Sequence, residues 1–141
     1  MTTIWIIFVV IVCACSLIYT MGNYVKHNAK LAKFTQEHPE AAKVQIKANK
    51  VGIIVETLQV HSVNGEEPLI FQEMLINNGF YLLPGKNVLE VSYEWTRPGV
   101  IYKTVTKYID PTKIEVEVEP NKTYKLSYSR KQEQFVFEEI G

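Results

Sequence analysis

The sequence predicts an all-β domain, an antiparallel β-sandwich, preceded by an N-terminal transmembrane helix. Residues 4–21 form an apolar run that contains no charged side chain. From residue 43 onward, apolar and polar residues alternate with a period of two, which is typical of half-buried strands. Pro, Gly and Asn residues recur between these stretches, as expected of short connections between antiparallel strands.

The apolar run has the length of a membrane-spanning helix. At ~1.5 Å per residue it reaches ~27 Å, close to the ~30 Å hydrocarbon layer of a bilayer. We therefore assign residues 1–23 to a single-pass anchor in contact with membrane lipid. The side chains that represent this anchor are Ile4, Trp5, Phe8, Val12, Leu17 and Tyr19.

Two other interpretations of the N-terminus stay open. A cleaved secretory signal normally begins with a basic region, which Met-Thr-Thr does not supply. Lipidation is the third interpretation, because Val12-Cys13-Ala14-Cys15 looks like a bacterial lipobox that ends in the acylated Cys15. Against it, residues 16–19 continue the apolar run where a lipoprotein usually begins a polar tether.

Residues 24–42 are predicted to be a helical connector. Gly22-Asn23 should loosen the helix exit, and His38-Pro39 should end the connector helix, because the residue before proline disfavours the helical region. The connector is interpreted either as a solvated spacer that continues the membrane helix or as a surface-lying segment with its lysines on anionic head groups.

Charge next to the anchor predicts its orientation. Lys26, Lys30 and Lys33 follow the apolar run, and no Lys or Arg precedes it. The positive-inside rule then favours the cytoplasmic side of the inner (cytoplasmic) membrane for the following domain.

The first half of the domain, which spans residues 43–141, contains three strand-like stretches. In the second of them, Glu56, Leu58 and Val60 share a face, and the Asn64-Gly65 pair predicts a turn with positive φ. The stretches are Lys43–Asn49, Gly52–Val60 and Leu69–Ile76, of which the last is a buried strand or a short helix; Asn77-Asn78-Gly79 should then form a tight turn.

The second half begins with Pro84-Gly85, which fits the central positions of a type II turn. Four predicted strands follow it, and a further stretch of alternating apolar and polar residues lies between the turns at 110–112 and 120–122. The strands are Val88–Trp95, Val100–Ile109, Tyr124–Ser129 and Gln134–Ile140, the alternating stretch is Ile114–Val118, and turns are expected at 97–99, 110–112 and 120–122. These elements predict about seven to nine strands in an Ig-like or transthyretin-like sandwich.

Residues 52–128 resemble the PEGA-type and carboxypeptidase-regulatory-like sandwich modules of bacterial envelope proteins. The likeness lies in Asn64-Gly65-x-x-Pro68, in the run from Phe80 through Pro84-Gly85 to Val91, and in the hairpin from Pro120 to Leu126. The Pro-Glu-Gly-Ala tetrad itself is missing. The resemblance implies a binding or spacer module without catalytic residues, and one that is usually extracytoplasmic, in conflict with the charge rule.

Charge and cysteine usage exclude several classes of function. The chain has 15 basic and 15 acidic residues, so no basic face for nucleic acid is expected. Both cysteines, Cys13 and Cys15, lie in the apolar run, so the domain has no disulfide and no cysteine-based metal site.

No pattern of catalytic, metal or cofactor-binding residues is found, and we expect no cofactor and no enzymatic activity. His27, His38 and His61 have no ligand spacing and are interpreted as surface residues. Glu115, Glu117 and Glu119 alternate on one strand face and are expected to pair across the sheet with lysines such as Lys125, Lys103 or Lys107.

Aromatic residues are plentiful, and most are assigned to the core. A smaller set is interpreted as an exposed strip for a protein partner, and the last strand as an edge that pairs with another chain. The residues of this possible partner surface are Tyr102, Tyr108, Phe135 and Phe137.

Together these patterns predict a membrane-anchored binding protein. The first hypothesis is a non-enzymatic sandwich that binds or positions a protein partner, or forms a homo-oligomer, in a bacterial envelope assembly. The alternative is a small membrane-bound inhibitor or immunity-type protein that plugs an effector.

Overall fold

The computed structural model describes residues 1–47, 50–51, 54–73, 77–101 and 103–141. The chain divides into two compact units, Met1–Glu37 and His38–Gly141. The first unit is helical, the second is built from strands, and each is described by itself.

The first unit is one helix, α1 (Thr2–Glu37). It continues through Gly22-Asn23, where a looser exit was predicted, because one glycine costs a helix only about 1 kcal/mol relative to alanine. It ends directly before His38-Pro39, which confirms that boundary. The helix is long and apolar enough to cross a membrane, a property that anchors and signal sequences share.

Within the described residues of the second unit there are nine strands. β1 begins at Ala42, the last residue of the predicted connector. The strands are β1 (Ala42–Ile46), β2 (Lys50–Val51), β3 (Ile54–Val63), β4 (Ile70–Glu73), β5 (Asn77–Leu82), β6 (Gly85–Arg97), β7 (Val105–Val118), β8 (Thr123–Ser129) and β9 (Gln134–Glu139).

The strands form two sheets. One has the order β4-β5-β1-β8-β9 and the other the order β2-β3-β6-β7. All pairings are antiparallel except that of β1 with β8, which is parallel, with Val44 opposite Tyr124. The prediction of a purely antiparallel arrangement is therefore wrong at this pair. Parallel neighbours need a long crossover, and the chain passes through the other sheet between β1 and β8.

Buried side chains from both sheets form one hydrophobic core. Glu56, Leu58 and Val60 of β3 are buried while Val55, Thr57 and Gln59 are exposed, which confirms the predicted alternation. The largest fully buried side chains are Phe80, Leu82, Leu89, Leu126, Val44 and Val91. The core thus lies between the five-stranded and the four-stranded sheet.

The predicted turn at Asn77-Asn78-Gly79 is wrong, because these residues belong to β5. Gly79 lies opposite Gln45 of β1 and Phe71 of β4. A Cβ atom at this position would overlap the Phe71 ring and the Val44 carbonyl oxygen. The glycine therefore permits close packing inside a sheet rather than a reversal of the chain.

The predicted turn at Asp110-Pro111-Thr112 is also wrong. β7 continues through these residues, with Ser92 of β6 opposite both Asp110 and Pro111 in a register shift. Proline is tolerated at an edge strand and at a bulge, and β7 provides both. The strand that was predicted to begin at Val100 begins at Val105 instead.

The predicted turn at Asn64-Gly65 and the predicted positive φ at Gly85 are confirmed, although Gly85 already belongs to β6. Asn64 and Gly65 have φ values of 53° and 81°, and Gly85 has a φ of 107°. The Asn64 side-chain amide donates to Oδ1 of buried Asn87 at 2.9 Å, which fixes this turn against β6. Pro84-Gly85 connects β5 to β6, so this turn joins the two sheets rather than two strands of one sheet.

Candidate functional site

The β domain has two distinct ends. Ala42 pairs with Leu82, and Gly85 of β6 follows only three residues later, so both sheets have strand termini near His38. β6 then runs for 13 residues to Arg97, and β7 returns from Val105. We call the end that holds Arg97 and Val105 the distal end of the domain.

Two aliphatic side chains are exposed at the distal end. Val100 is 99% exposed and Ile101 is 90% exposed, whereas the other exposed large apolar residues described in the domain are at most 50% exposed. We call the connection between β6 and β7, residues 98–104, the distal tip; Tyr102 within it lies outside the described residues. Adjacent aliphatic side chains in water cost free energy unless a partner covers them.

Below the distal tip, Trp95 lies close to two arginines. The guanidinium carbons of Arg97 and Arg130 are 5.8 and 5.6 Å from the centroid of a Trp95 ring, within cation–π range. Arg130 follows β8 in the opposite sheet. Its Nε atom lies 3.1 Å from Oε1 of Glu56, whose side chain is only 7% exposed. This ion pair joins the two sheets.

Tyr93 extends the same group of residues into the core. Its ring stacks on Tyr128 of the other sheet, with centroids 4.2 Å apart. Its buried hydroxyl lies beside the Glu56 carboxylate without reaching good hydrogen-bond geometry. Burial, and then the Glu56 charge, raise the pKa of the Tyr93 hydroxyl above its usual value.

A second ion pair closes this end. Lys107 Nζ lies 3.5 Å from Oε1 of Glu133, again between the two sheets. The remaining space is a cavity of about 80 Å³ lined by Trp95, Lys107, Ile109, Tyr128, Arg130 and Glu133. We call Glu56, Trp95, Lys107, Arg130 and Glu133 the distal cluster. Since Lys107 pairs with Glu133 and Arg130 pairs with Glu56, this cluster is suited to seal the core and support the distal tip.

The sequence placed a partner surface at four aromatic residues, of which the structure describes three, in two different environments. Tyr108 of β7 is 50% exposed and lies opposite Glu94. Phe135 and Phe137 of β9 pack against the core, where they contact the rings of Tyr128 and Tyr124. Tyr102 lies outside the described residues.

Two histidines have polar partners that the sequence did not indicate. His61 Nε2 lies 2.7 Å from Oγ of buried Ser92, and His38 Nδ1 lies 3.3 Å from Oε1 of Glu40. Over the described residues, no group of three or more His, Cys, Asp or Glu side chains is placed to hold a metal ion.

The predicted pairing of Glu115, Glu117 and Glu119 with lysines across the sheet is confirmed for Glu115, but its lysine is not one of those named from the sequence. Glu115 pairs with Lys86 at 3.6 Å, because these residues lie on neighbouring strands. Lys107 pairs with Glu133 instead, and Lys125 pairs with Glu138 of β9. Glu117 and Glu119 are exposed, as predicted for an outer polar face.

An open cleft lies at the other side of the core, between β3 and the β4–β5 pair. Its volume is about 500 Å³, and its apolar lining includes Leu58, Val60 and Ile70. His61 and Glu67 lie among its polar residues. The cleft has the size of a small-ligand site, but the described residues that line it do not form a convergent set of polar groups.

The residues that represent the anchor, Ile4, Trp5, Phe8, Val12, Leu17 and Tyr19, are all exposed on α1. Both cysteines are free and exposed on the same helix.

The distal cluster was missed from the sequence because Glu56, Trp95 and Arg130 are far apart in the chain. The sequence signal that could have indicated this cluster is Glu56, a glutamate on the same face of a predicted strand as Leu58 and Val60. The chain matches no protein-family model, no curated protein and no solved structure.

Proposed function

We propose that this protein is a non-enzymatic, membrane-anchored β-sandwich of the Ig-like or transthyretin-like class. In this proposal it binds or positions a protein partner in a bacterial envelope assembly. The supporting observation is the distal tip, where Val100 and Ile101 are almost fully exposed at the end of the longest hairpin described in the domain. Such residues gain free energy when a partner covers them.

The cluster beneath the tip supports a binding role. Glu56 and Arg130 join the sheets, and Trp95 packs against the same arginine. A hairpin held on a rigid base loses little conformational entropy on binding, so more of its contact energy contributes to affinity. The tip is therefore the part of the domain best placed to contact a partner.

We also propose that α1 is a retained anchor in the inner membrane, with the domain on the cytoplasmic side. The exposed apolar residues of α1 support the anchor. The lysines at 26, 30 and 33 support the orientation. A pair of topology reporters fused after Gly141 tests it. A fusion active only outside the cytoplasm would contradict the orientation and agree with the module resemblance.

Site-specific photo-crosslinking in native membranes tests the contact. A photoreactive amino acid at Ile101 should give one discrete adduct in the full-length protein, and the same group at Val88, an exposed site on β6, should not give it. The substitution Val100→Asp should reduce the Ile101 adduct at least tenfold without changing the protein level. Equal adducts from both positions, or none from Ile101, would contradict the proposal.

The alternative is an inhibitor or immunity-type protein, and the projecting tip also suits insertion into an effector's cleft. The two functions differ in what happens when the protein is lost. Loss of an inhibitor should be toxic until its effector is removed as well, whereas loss of an assembly component should not depend on a second gene.

A further inference from the structure

We propose that β9 is a self-association edge, through which two copies of this chain pair antiparallel and join their five-stranded sheets. This interface is separate from the distal tip and goes beyond the proposed contact there. It involves the backbone of Phe135 and Phe137 and the side chain of Val136.

β9 is the least protected edge of the described strands. β7 is interrupted by Pro111 and its register shift, β4 has four residues and β2 has two. β9 has six residues, pairs with β8 without a register shift, and contains no proline. Open edges of this kind are templates for another strand unless they are blocked.

The hydrogen bonds of β8 and β9 show which backbone groups face outward. The Ile140 N–H donates to the Thr123 carbonyl at 2.8 Å, so the backbone polar groups of Ile140 point toward β8. The direction of the backbone N–H and C=O groups alternates along an antiparallel strand. Those of Gln134, Val136 and Glu138 therefore also point toward β8. The N–H and C=O groups of Phe135 and Phe137 therefore point to the open edge.

These directions and the side chains select one register. With Val136 opposite Val136 of the second copy, Phe135 lies opposite Phe137 and Gln134 lies opposite Glu138. Within residues 134–138 no like charges then face each other. Glu139 lies opposite Glu133 of the second copy, and each of these glutamates is paired with a lysine of its own copy. Moving the centre to Phe137 would place Glu138 opposite Val136 and Glu139 opposite Phe135, which is less complementary.

The acidic residues of β9 are already neutralised within each copy. Glu138 pairs with Lys125 at 3.1 Å, and Glu139 with Lys122 at 2.7 Å. The hydrogen bond and charge of Glu139 raise the pKa of the Lys122 ammonium, so this lysine keeps its charge at neutral pH. Repulsion between two acidic edges is thereby reduced.

Cysteine crosslinking tests the register directly, because the domain itself has no thiol. The full-length chain is purified in detergent with Cys13→Ser and Cys15→Ser, and one cysteine is added at a time. Val136 would form a non-hydrogen-bonded pair with itself, with Cα atoms about 4.5 Å apart, which is within disulfide range. Val136→Cys should therefore form a covalent dimer under mild oxidation.

Glu138→Cys is the matched control. In this register two copies of residue 138 are about 13 Å apart, too far for a disulfide. A mixture of Gln134→Cys and Glu138→Cys chains, tagged differently, should instead give the mixed dimer in at least fivefold excess over either self-dimer. A cation at the centre should separate the copies, so Val136→Lys should be monomeric in sedimentation while Val136→Thr still dimerises.

Failure is recognisable at each step. A monomer for the unmodified chain over the accessible concentrations, or equal crosslinking at 136 and 138, would overturn the β9 pairing. Neither result affects the distal tip, whose adducts are measured at Ile101. Loss of the Ile101 adduct with retained crosslinking at 136 would overturn only the proposed partner contact.

Discussion

At the distal end of the domain, Glu56 is a carboxylate that folding removes from water. Its side chain is 7% exposed, and Arg130 from the other sheet balances its charge. Removing one partner of a buried pair costs more than the pair contributes, because the remaining charge stays in an apolar site. Lys107 and Glu133 form a similar link, but both of their side chains are more than half exposed.

We therefore expect Arg130→Met to lower the free energy of unfolding by about 2 kcal/mol. Lys107→Met should cost less than about 1 kcal/mol, since solvent screens its pair. Urea unfolding of the two variants, followed by tryptophan fluorescence, checks this difference. Equal losses would show that the depth of Glu56 has no energetic consequence.

Tyr93 gives a prediction in the alkaline range. Its pKa is raised in the folded state from the usual 10.0, so the folded state binds the phenolic proton more tightly than the unfolded state does. The resulting stabilisation is complete below pH 10 and is lost as the pH rises toward the folded pKa. Tyr93→Phe should remove this dependence.

The measurement is the free energy of unfolding of both proteins at pH 8 and at pH 11. The unmodified chain should lose more stability than Tyr93→Phe between these values. A parallel loss in the two proteins would mean that Tyr93 ionises equally in both states.

Among the strands, β5 depends on Gly79. An alanine there would overlap the Phe71 ring and the Val44 carbonyl oxygen, so β4 and β1 would have to move apart. We expect Gly79→Ala to destabilise the domain by about 3 kcal/mol. Asn78→Ala, at an exposed neighbouring position, should change stability by less than about 0.5 kcal/mol.

Thermal unfolding followed by circular dichroism distinguishes the two variants. Similar melting temperatures for Gly79→Ala and the unmodified chain would show that the β4–β5–β1 packing is looser than described.

The same strand shows what the sequence can predict. Alternation identified β3 and β8, since each has one face on the core. Asn-Asn-Gly and Asp-Pro-Thr were assigned to turns because their local preferences are strong. Tertiary context overrode both: a neighbouring ring requires the glycine at 79, and a register shift at an edge accommodates Pro111.

Sheet membership and the distal cluster were beyond the reach of local patterns. Pro84-Gly85 has the predicted positive φ at Gly85, yet it connects two sheets. The alternation of the strands and the residues of the turn are the same whether a turn joins two strands of one sheet or connects two sheets. Neither pattern therefore specifies which strands pair. For the same reason the parallel pairing of β1 with β8, and the meeting of Glu56 with Arg130, could not be read from the chain.

At the scale of the whole molecule, α1 is long and apolar enough to cross a membrane. If residues 4–21 span the bilayer, the double substitution Val9→Arg and Val10→Arg should oppose insertion by about 5 kcal/mol in total. The doubly substituted chain should leave the membrane fraction on carbonate extraction, and the unmodified chain should stay. Cys15→Ser should behave like the unmodified chain, with the same mobility; release of this variant would support lipidation instead.

Self-association through β9 also constrains the domain at a membrane. Since β9 runs from the distal end toward the His38 end, antiparallel pairing places the His38 ends of two copies at opposite ends of the paired strands. If α1 anchors both copies, they are confined to one membrane surface. Tethering then raises the effective concentration, so Val136→Cys crosslinking should be stronger in reconstituted vesicles than in detergent at equal protein content. Crosslinking that is lost in vesicles would show that membrane-tethered copies do not pair through β9.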